Sequence, residues 1–488
     1  MTETSAVTPR PLTFLEALIP IVSLIGLVTL SFLLFGDAGA LGPNQIALVV
    51  ATMIAVLVGW RAGYSLDELQ EAAIASVSSG IGAMFILLAV GALIGTWAMS
   101  GTLVAMVYYG LLLLHPNYFY VTAAVICAVV SLSIGSSWTV AGTIGIGLMG
   151  IALNMELSPA ITAGAIISGG YFGDKSSPLS DSTNLAAAAA GANLYEHIRA
   201  VLWTSVPAMA VALAVFWYLG EPGDFDASHK IDAIKHLFNV SLVLFIPLLI
   251  VVVLAVLKLP PFTTIFIGAL AGGVLATFVA PDRVIAYAKA EDLPRALALL
   301  KGVWLALADG YQSSTGDAGI DRLISRGGME SMLGTIWLII TALAFGGVVE
   351  KAGVLERLIT PIIDAAKSVG TLVAYLVTAV IACNAITADQ YIAIVLPGRM
   401  FKSAFESRGL APVVLSRAIG DSGTVTSALI PWNSCGAYMA ATLGVATVHY
   451  APFAIFNILC PLITVASAYA GIRMVRVDTP AKPGERAQ

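Results

Sequence analysis

Apolar segments long enough to cross a bilayer recur along the whole chain, and they limit the possible folds more than any motif does. A helix needs about 17 to 25 apolar residues to span roughly 30 Å of hydrocarbon. Runs of this kind lie near 15–35, 44–60, 80–98, 118–134, 198–219, 237–257, 263–280, 332–349, 370–386 and 450–472. Hydrocarbon offers no water to satisfy backbone polar groups, so runs of this length form helices. Shorter or polar-interrupted apolar pieces, near 102–114, 136–154, 158–172, 388–405, 411–419 and 428–445, read as broken or re-entrant helices. The expected fold class is therefore an all-α polytopic membrane protein. With 58% hydrophobic and 11% charged residues, the composition excludes an ordinary soluble domain and gives no basis for nucleic-acid binding.

The first run follows Arg10 and precedes Ala38-Gly39-Ala40, which resembles a signal peptide with its cleavage site. Its apolar core is about twice the usual length, so it reads as an uncleaved first span. Orientation follows the placement of Lys and Arg in short loops. Arg10, Arg61 and the tail with Arg473, Arg476, Lys482 and Arg486 put both termini in the cytoplasm, and the acidic loops 36–43 and 221–229 on the other side. The stretch 281–330 reads as a linker with both charge signs in equal number. The four cysteines lie in apolar segments without C-x-x-C spacing, so neither a disulfide framework nor a resident metal or other cofactor is expected.

The chain is also written twice. A shift of 252 residues places Gly82 on Gly334, Gly95 on Gly347 and Gly101 on Gly353, and at 253 Leu157-Ser158-Pro159 meets Leu410-Ala411-Pro412. A short deletion would then pair Gly173-Asp174 with Gly420-Asp421, and so GDKSSPLSDSTN with GDSGTVTSALIPWNS. The expected organisation is a tail at 1–12, a first repeat at 13–220, a linker at 221–236, a second repeat at 237–474 and a tail at 475–488. If each half contains an odd number of crossings, the halves are inverted relative to each other, with broken helices meeting near the midplane. Repeats interrupted by polar residues at matching places point to a secondary transporter.

Carboxylates within spans need a cavity or a partner. Asp174, Asp181, Asp389 and Asp421 qualify, set among glycines 169, 170, 173, 420 and 423 and prolines 178 and 431, which read as helix breakers. Na⁺, a small hard cation, takes oxygen ligands. The first motif supplies them at Asp174, Ser177, Ser180, Asp181, Thr183 and Asn184. The second adds Asp421, Ser422, Thr424, Thr426, Ser427, Asn433 and Ser434, and a third group is Asn384, Thr387 and Asp389. A carboxylate that binds either Na⁺ or a proton is the simplest route to exchange, with Na⁺ expected at Asp174 and Asp181. Lys175 either holds an aspartate ionised or gives up its own proton when Na⁺ enters. Arg399 and Arg417 read as interfacial, and Trp138 and Trp432 as packing residues beside the polar runs.

The run AGAIISGGYFGDKSSPLSDSTNLA (163–186) closely resembles the signature of NhaC-type sodium/proton antiporters of the ion transporter superfamily. ITADQYIAIVLPGRMF (386–401), DSGTVTSALIPWNSCGAYMAATLGV (421–445), SSWTVAGTIGIGLMG (136–150) and the GTW and SGT elements near 95–102 resemble that family too. The departures are Ser182 and Ser434 where threonine is usual, and Ala428 where proline is usual. The resemblance implies export of Na⁺ against inward H⁺ without ATP, by a non-enzymatic multi-pass protein of the prokaryotic inner membrane. It further implies two inverted five-helix repeats with re-entrant hairpins and a homodimer with an elevator-like mobile domain. Carried over by motif, the ion-site residues are Asp174, Ser180, Asp181, Thr183 and Asn184, with Asp389, Asp421 and Asn433 beside them. Two other readings compete. One is Na⁺/H⁺-coupled exchange of small carboxylates such as malate and lactate, for which room beside Lys175 would speak; a cavity of carboxylates and hydroxyls alone favours the bare ion. The other is an intramembrane aspartyl protease with Asp174 and Asp421 as its dyad, supported only by the two Gly-Asp pairs.

Overall fold

The computed structural model describes residues 9–35, 42–220, 231–232, 234–235, 240–290, 292–313, 321, 325 and 327–477. Most of the loops at 36–43 and 221–229, and most of the tail beyond 474, lie outside the described residues, as does most of the expected linker at 221–236.

The first half comprises α1 (Phe14–Phe35), α2 (Pro43–Arg61), α3 (Leu66–Ser79), α4 (Ile81–Ser100), α5 (Thr102–Leu113), α6 (Phe119–Ile134), α7 (Ser137–Asn154), α8 (Pro159–Ser176), α9 (Asp181–Ala190) and α10 (Leu194–Tyr218). The second half comprises α11 (Leu242–Val256), α12 (Pro261–Val279), α13 (Pro281–Ala288), α14 (Arg295–Ala308), α15 (Leu333–Lys351), α16 (Val354–Ala365), α17 (Val369–Thr387), α18 (Gln390–Glu406), α19 (Pro412–Ile419), α20 (Ser434–Leu443), α21 (Thr447–Phe453) and α22 (Ile455–Tyr469). Among the described residues nine helices are long and apolar enough to cross a membrane, and α21 with α22 forms a tenth span bent by 57°. The expected spans are recovered except 237–257, where the described helix Leu242–Val256 is too short to count as one, and Ser137–Asn154 joins them although its glycines and threonines made it look interrupted.

The halves repeat one another in detail. Gly135 and Ala388 both take left-handed conformations at the ends of α6 and α17. The next residues, Ser136 and Asp389, are the N-caps of α7 and α18. Further on, Ser180 and Asn433 cap α9 and α20, which end at left-handed Gly191 and Gly444. Each of these pairs is 253 residues apart. Tertiary contacts keep the same register: Ser131 Oγ donates to Gly170 O (2.6 Å) and Asn384 Nδ2 to Gly423 O (2.8 Å). Ser137 donates to Asp174 while Gln390 accepts from Ser427 Oγ at 2.9 Å.

This register corrects the pairing expected from sequence. No deletion intervenes, Pro178 meets Pro431, and the counterpart of Asp174 is Ser427, not Asp421. The shared Gly-Asp dipeptide misled because identity of two residues weighs less than the position of a helix break.

The halves also embrace. α4 packs against α12 and α14, and α15 against α2 and α3. A Cβ on Gly95 would sit 2.1 Å from Ala306 O of α14, and one on Gly347 would sit 2.5 Å from Ala72 O of α3. The glycine pair seen as a sequence repeat therefore marks two equivalent places where backbone of one half meets backbone of the other. The stretch 281–330, read as a linker, contains α13 and α14. Ala298, Gly302 and Ala306 form the buried stripe of α14, and Trp304 on the opposite face is exposed.

Candidate functional site

The glycines of the first motif do not break α8. They let it lie against α6: a Cβ on Gly169 would be 2.1 Å from Ala124 O, and one on Gly173 would be 2.4 Å from Leu132 N. The helix runs unbroken to Ser176, and the break comes at Ser177-Pro178-Leu179. That brings the last turn of α8, with Asp174 on it, to the point where α7 and α9 begin.

Asp174 is 8% exposed. Its Oδ2 accepts from Ser137 N (3.1 Å) and Ser137 Oγ (2.6 Å), and its Oδ1 accepts from Ser180 Oγ and from Ser182 Oγ (3.3 Å). One carboxylate thus faces three hydroxyls and the first amide of a helix, whose positive end favours the ionised form. Hydroxyls are adaptable partners. They donate to the carboxylate here, and by rotating they turn lone pairs toward a cation.

Other predicted residues of this motif serve the backbone. Thr183 Oγ1 donates to the carbonyls of Asp174 (3.0 Å) and Lys175 (2.9 Å), closing the end of α8. Asn184 Nδ2 binds Pro178 O (3.0 Å) and Ser180 O (2.8 Å), and Ser177 Oγ binds Leu132 O (2.9 Å). These bonds tie the ends of the neighbouring helices together around the break.

Lys175 follows Asp174 but points elsewhere. Its Nζ lies 2.6 Å from Asp421 Oδ1, with the two side chains 1% and 0% exposed. Cys460 Sγ is 3.3 Å from the same Nζ, and the ring of Phe456 lies under it at 5.4 Å. Thr464 Oγ1 donates to Asp421 Oδ2. Asp421 sits in a wide π turn, Gly420–Thr424, that continues α19, so this ion pair ties the first half to the second.

In the second half, Asp389 caps α18, its Oδ1 accepting from Ile392 N at 2.8 Å. Asn433 Nδ2 donates to Asn384 O (3.0 Å), and Asn384 Nδ2 reaches Thr426 Oγ1 (3.1 Å). Ser422 Oγ bonds Ala418 O (2.6 Å), and Thr424 O accepts from Ser427 Oγ (2.7 Å). Cys435 Sγ lies 3.1 Å from Gln390 Oε1. At the place of Asp174 this half therefore holds a neutral serine, glutamine and cysteine cluster. The stacked rings of Trp138 and Tyr438, with centroids 4.0 Å apart, connect the two broken regions, while Trp432 Nε1 donates to Ala385 O (2.6 Å).

The structure separates Asp181 from Asp174. Asp181 is exposed and lines a cavity of about 600 Å³ with Leu185, Glu350, Tyr391, Ile392, Val395, Leu396 and Arg399. Arg399 is exposed there, but Arg417, expected at an interface, is only 2% exposed and packed inside the protein. Sequence reasoning missed Ser137 as the principal partner of Asp174. Its signal was present, a serine pair directly after Gly135, but tertiary folding alone shows what that helix start faces. Among the described residues no three His, Cys, Asp or Glu side chains cluster as a metal site would require. Asp174 and Asp421 have separate partners, unlike a catalytic dyad that shares a proton.

A family model described as the Na⁺/H⁺ antiporter family matches residues 169–472. The chain is 37% identical to the Na⁺/H⁺ antiporter NhaC of Alkalihalophilus pseudofirmus, over 88% of this chain and 90% of that one. It is 34% identical to the malate-2H⁺/Na⁺-lactate antiporter of Bacillus subtilis, over 94% and 95% of the two chains. It is also 34% identical to the arginine/ornithine antiporter ArcD of Halobacterium salinarum, over 98% and 96%. The matched region contains both broken-helix motifs, Asp174 and the Lys175–Asp421 pair, and the chain belongs to the Na⁺/H⁺ antiporter family.

Proposed function

We propose that this membrane protein exchanges Na⁺ for H⁺ by alternating access, with Asp174 as the carboxylate for which the two compete. The observation that carries the reading is the set around Asp174, one buried carboxylate with Ser137, Ser180 and Ser182 as its hydroxyl partners. A hard monovalent cation is satisfied by such oxygens. An unpaired carboxylate inside a membrane protein is costly, so departure of Na⁺ invites a proton. Asp181 and Glu350, at the mouth of the open cavity, raise the local cation concentration without binding the ion permanently.

Lys175 has no room for an organic anion. Its ammonium is enclosed by Asp421, Cys460 and Phe456. This favours the bare ion over malate- or lactate-like cargo. The family relationship and the separate settings of Asp174 and Asp421 support transport over proteolysis. The reading includes two inverted repeats, divided at 13–220 and 237–474, with Na⁺ leaving a prokaryotic cell, both termini cytoplasmic, a homodimeric assembly and no cofactor.

The test is a liposome experiment. Reconstituted protein with an imposed Na⁺ gradient and a trapped pH dye is expected to shift the lumenal pH in the direction set by the gradient, with no organic acid present. A pH signal that appears only when malate or lactate is added would replace this reading with the carboxylate one.

A further inference from the structure

Arg417, on α19, lies about one helical turn before Asp421 and is 2% exposed. Its Nε and Nη2 find no hydrogen-bond partner among the described residues. These two nitrogens form one edge of the guanidinium, the fork that grips a carboxylate with two parallel bonds. A buried guanidinium with that edge unmet is unfavourable, and a carboxylate of matching shape follows four residues on: Asp421.

The two residues are close along the chain. On a regular α-helix, residues four apart stand over one another. Here the α-helical torsions continue through Ile419 and Gly420, and Asp421 stands where the coil widens into the π turn Gly420–Thr424. Such turns are uncommon and concentrate at functional sites. In the present arrangement Asp421 faces Lys175 and Thr464 instead.

We infer that Asp421 has two partners in turn, Lys175 in the arrangement seen here and Arg417 in the opposite state of the transport cycle. The switch matters because Lys175 and Asp174 are consecutive on the last turn of α8. A cation that binds Asp174 and shifts this turn draws Lys175 away from Asp421. Without a second cation, Asp421 would be left uncompensated in the protein interior, and the movement would be blocked. Arg417 removes that obstacle. It is a positioning residue, since it touches neither Na⁺ nor Asp174.

The inference rests on the exchange reading above, and one experiment distinguishes the two. Na⁺ binding to purified protein and Na⁺-driven proton flux in liposomes are measured for wild type, Arg417→Gln and Arg417→Lys. The expected result for Arg417→Gln is a Na⁺ affinity within about threefold of wild type but a turnover at least tenfold lower. Arg417→Lys, which keeps the charge, recovers a substantial part of that turnover. A merely structural role would lower Na⁺ binding and turnover together in both variants, and that result overturns the inference. So does wild-type turnover in Arg417→Gln. Absence of Na⁺-driven flux in wild type would instead overturn the exchange reading itself.

Discussion

Lys175 Nζ and Asp421 Oδ1 are 2.6 Å apart, with both side chains sealed from solvent and contributed by different halves of the chain. Burying two charges costs several kcal/mol each, and removing one partner leaves the other exposed to that cost, about 3 to 5 kcal/mol. Asp421→Asn or Lys175→Met alone should therefore lower the unfolding transition of the purified protein markedly. The double variant Lys175→Met with Asp421→Leu should recover most of that stability while remaining inactive in transport. Thermal unfolding in detergent, read as a double-mutant cycle, checks this.

Ser180 has two tasks, capping α9 and donating to Asp174. Its counterpart Asn433 performs only the first, through Cys435 N at 3.0 Å. Ser180→Asn should then preserve the cap and the fold but weaken Na⁺ binding by about tenfold, the effect of losing roughly one charge-assisted hydrogen-bonding group. Ser180→Ala should lose the cap as well, at about 1 kcal/mol. Calorimetric titration with Na⁺ alongside thermal unfolding distinguishes the two tasks.

Gly95 and Gly347 predict a matched pair of defects. Valine at either place brings Cβ against a backbone carbonyl of the other half, Ala306 O or Ala72 O. Backbone cannot step aside as a flexible side chain can, so each substitution should destabilise by more than the 1 to 3 kcal/mol of ordinary overpacking. Valine at Gly82 or Gly334, where no atom lies within 4 Å, should be tolerated. Yield of monodisperse protein after purification reports the difference.

The spans were legible in the sequence because hydrocarbon demands long apolar helices, and the glycine repeat was legible because both halves use it for the same close approach. The second-half partner of Asp174 was not. Its position, Ser427, carries no acid, and the nearby Gly420-Asp421 dipeptide offered a false match. The burial of Arg417 was equally hidden, since local composition does not show which face of α19 is covered. Thr183 and Asn184 were expected among the ion-site residues, whereas the oxygen and nitrogen they contribute go to backbone at the helix break.

Asp181 stands at the open cavity, apart from Asp174, and so should act on recruitment. Asp181→Asn is expected to raise the Na⁺ concentration for half-maximal transport a few-fold with little change in maximal rate. Because an exposed charge is screened over about 8 Å at physiological ionic strength, the difference from wild type should shrink as inert salt is added. Transport at varied Na⁺ and choline concentrations measures it.

The most direct measurement of the central claim counts protons released when Na⁺ binds. In weakly buffered detergent solution near the pH where transport is active, Na⁺ added to wild-type protein should release protons to a pH dye with a saturating dependence on Na⁺. Asp174→Asn should bind no Na⁺ in the same range and release none. Saturable Na⁺ binding without proton release in wild type, or release undiminished in Asp174→Asn, would contradict competition of the two ions for Asp174.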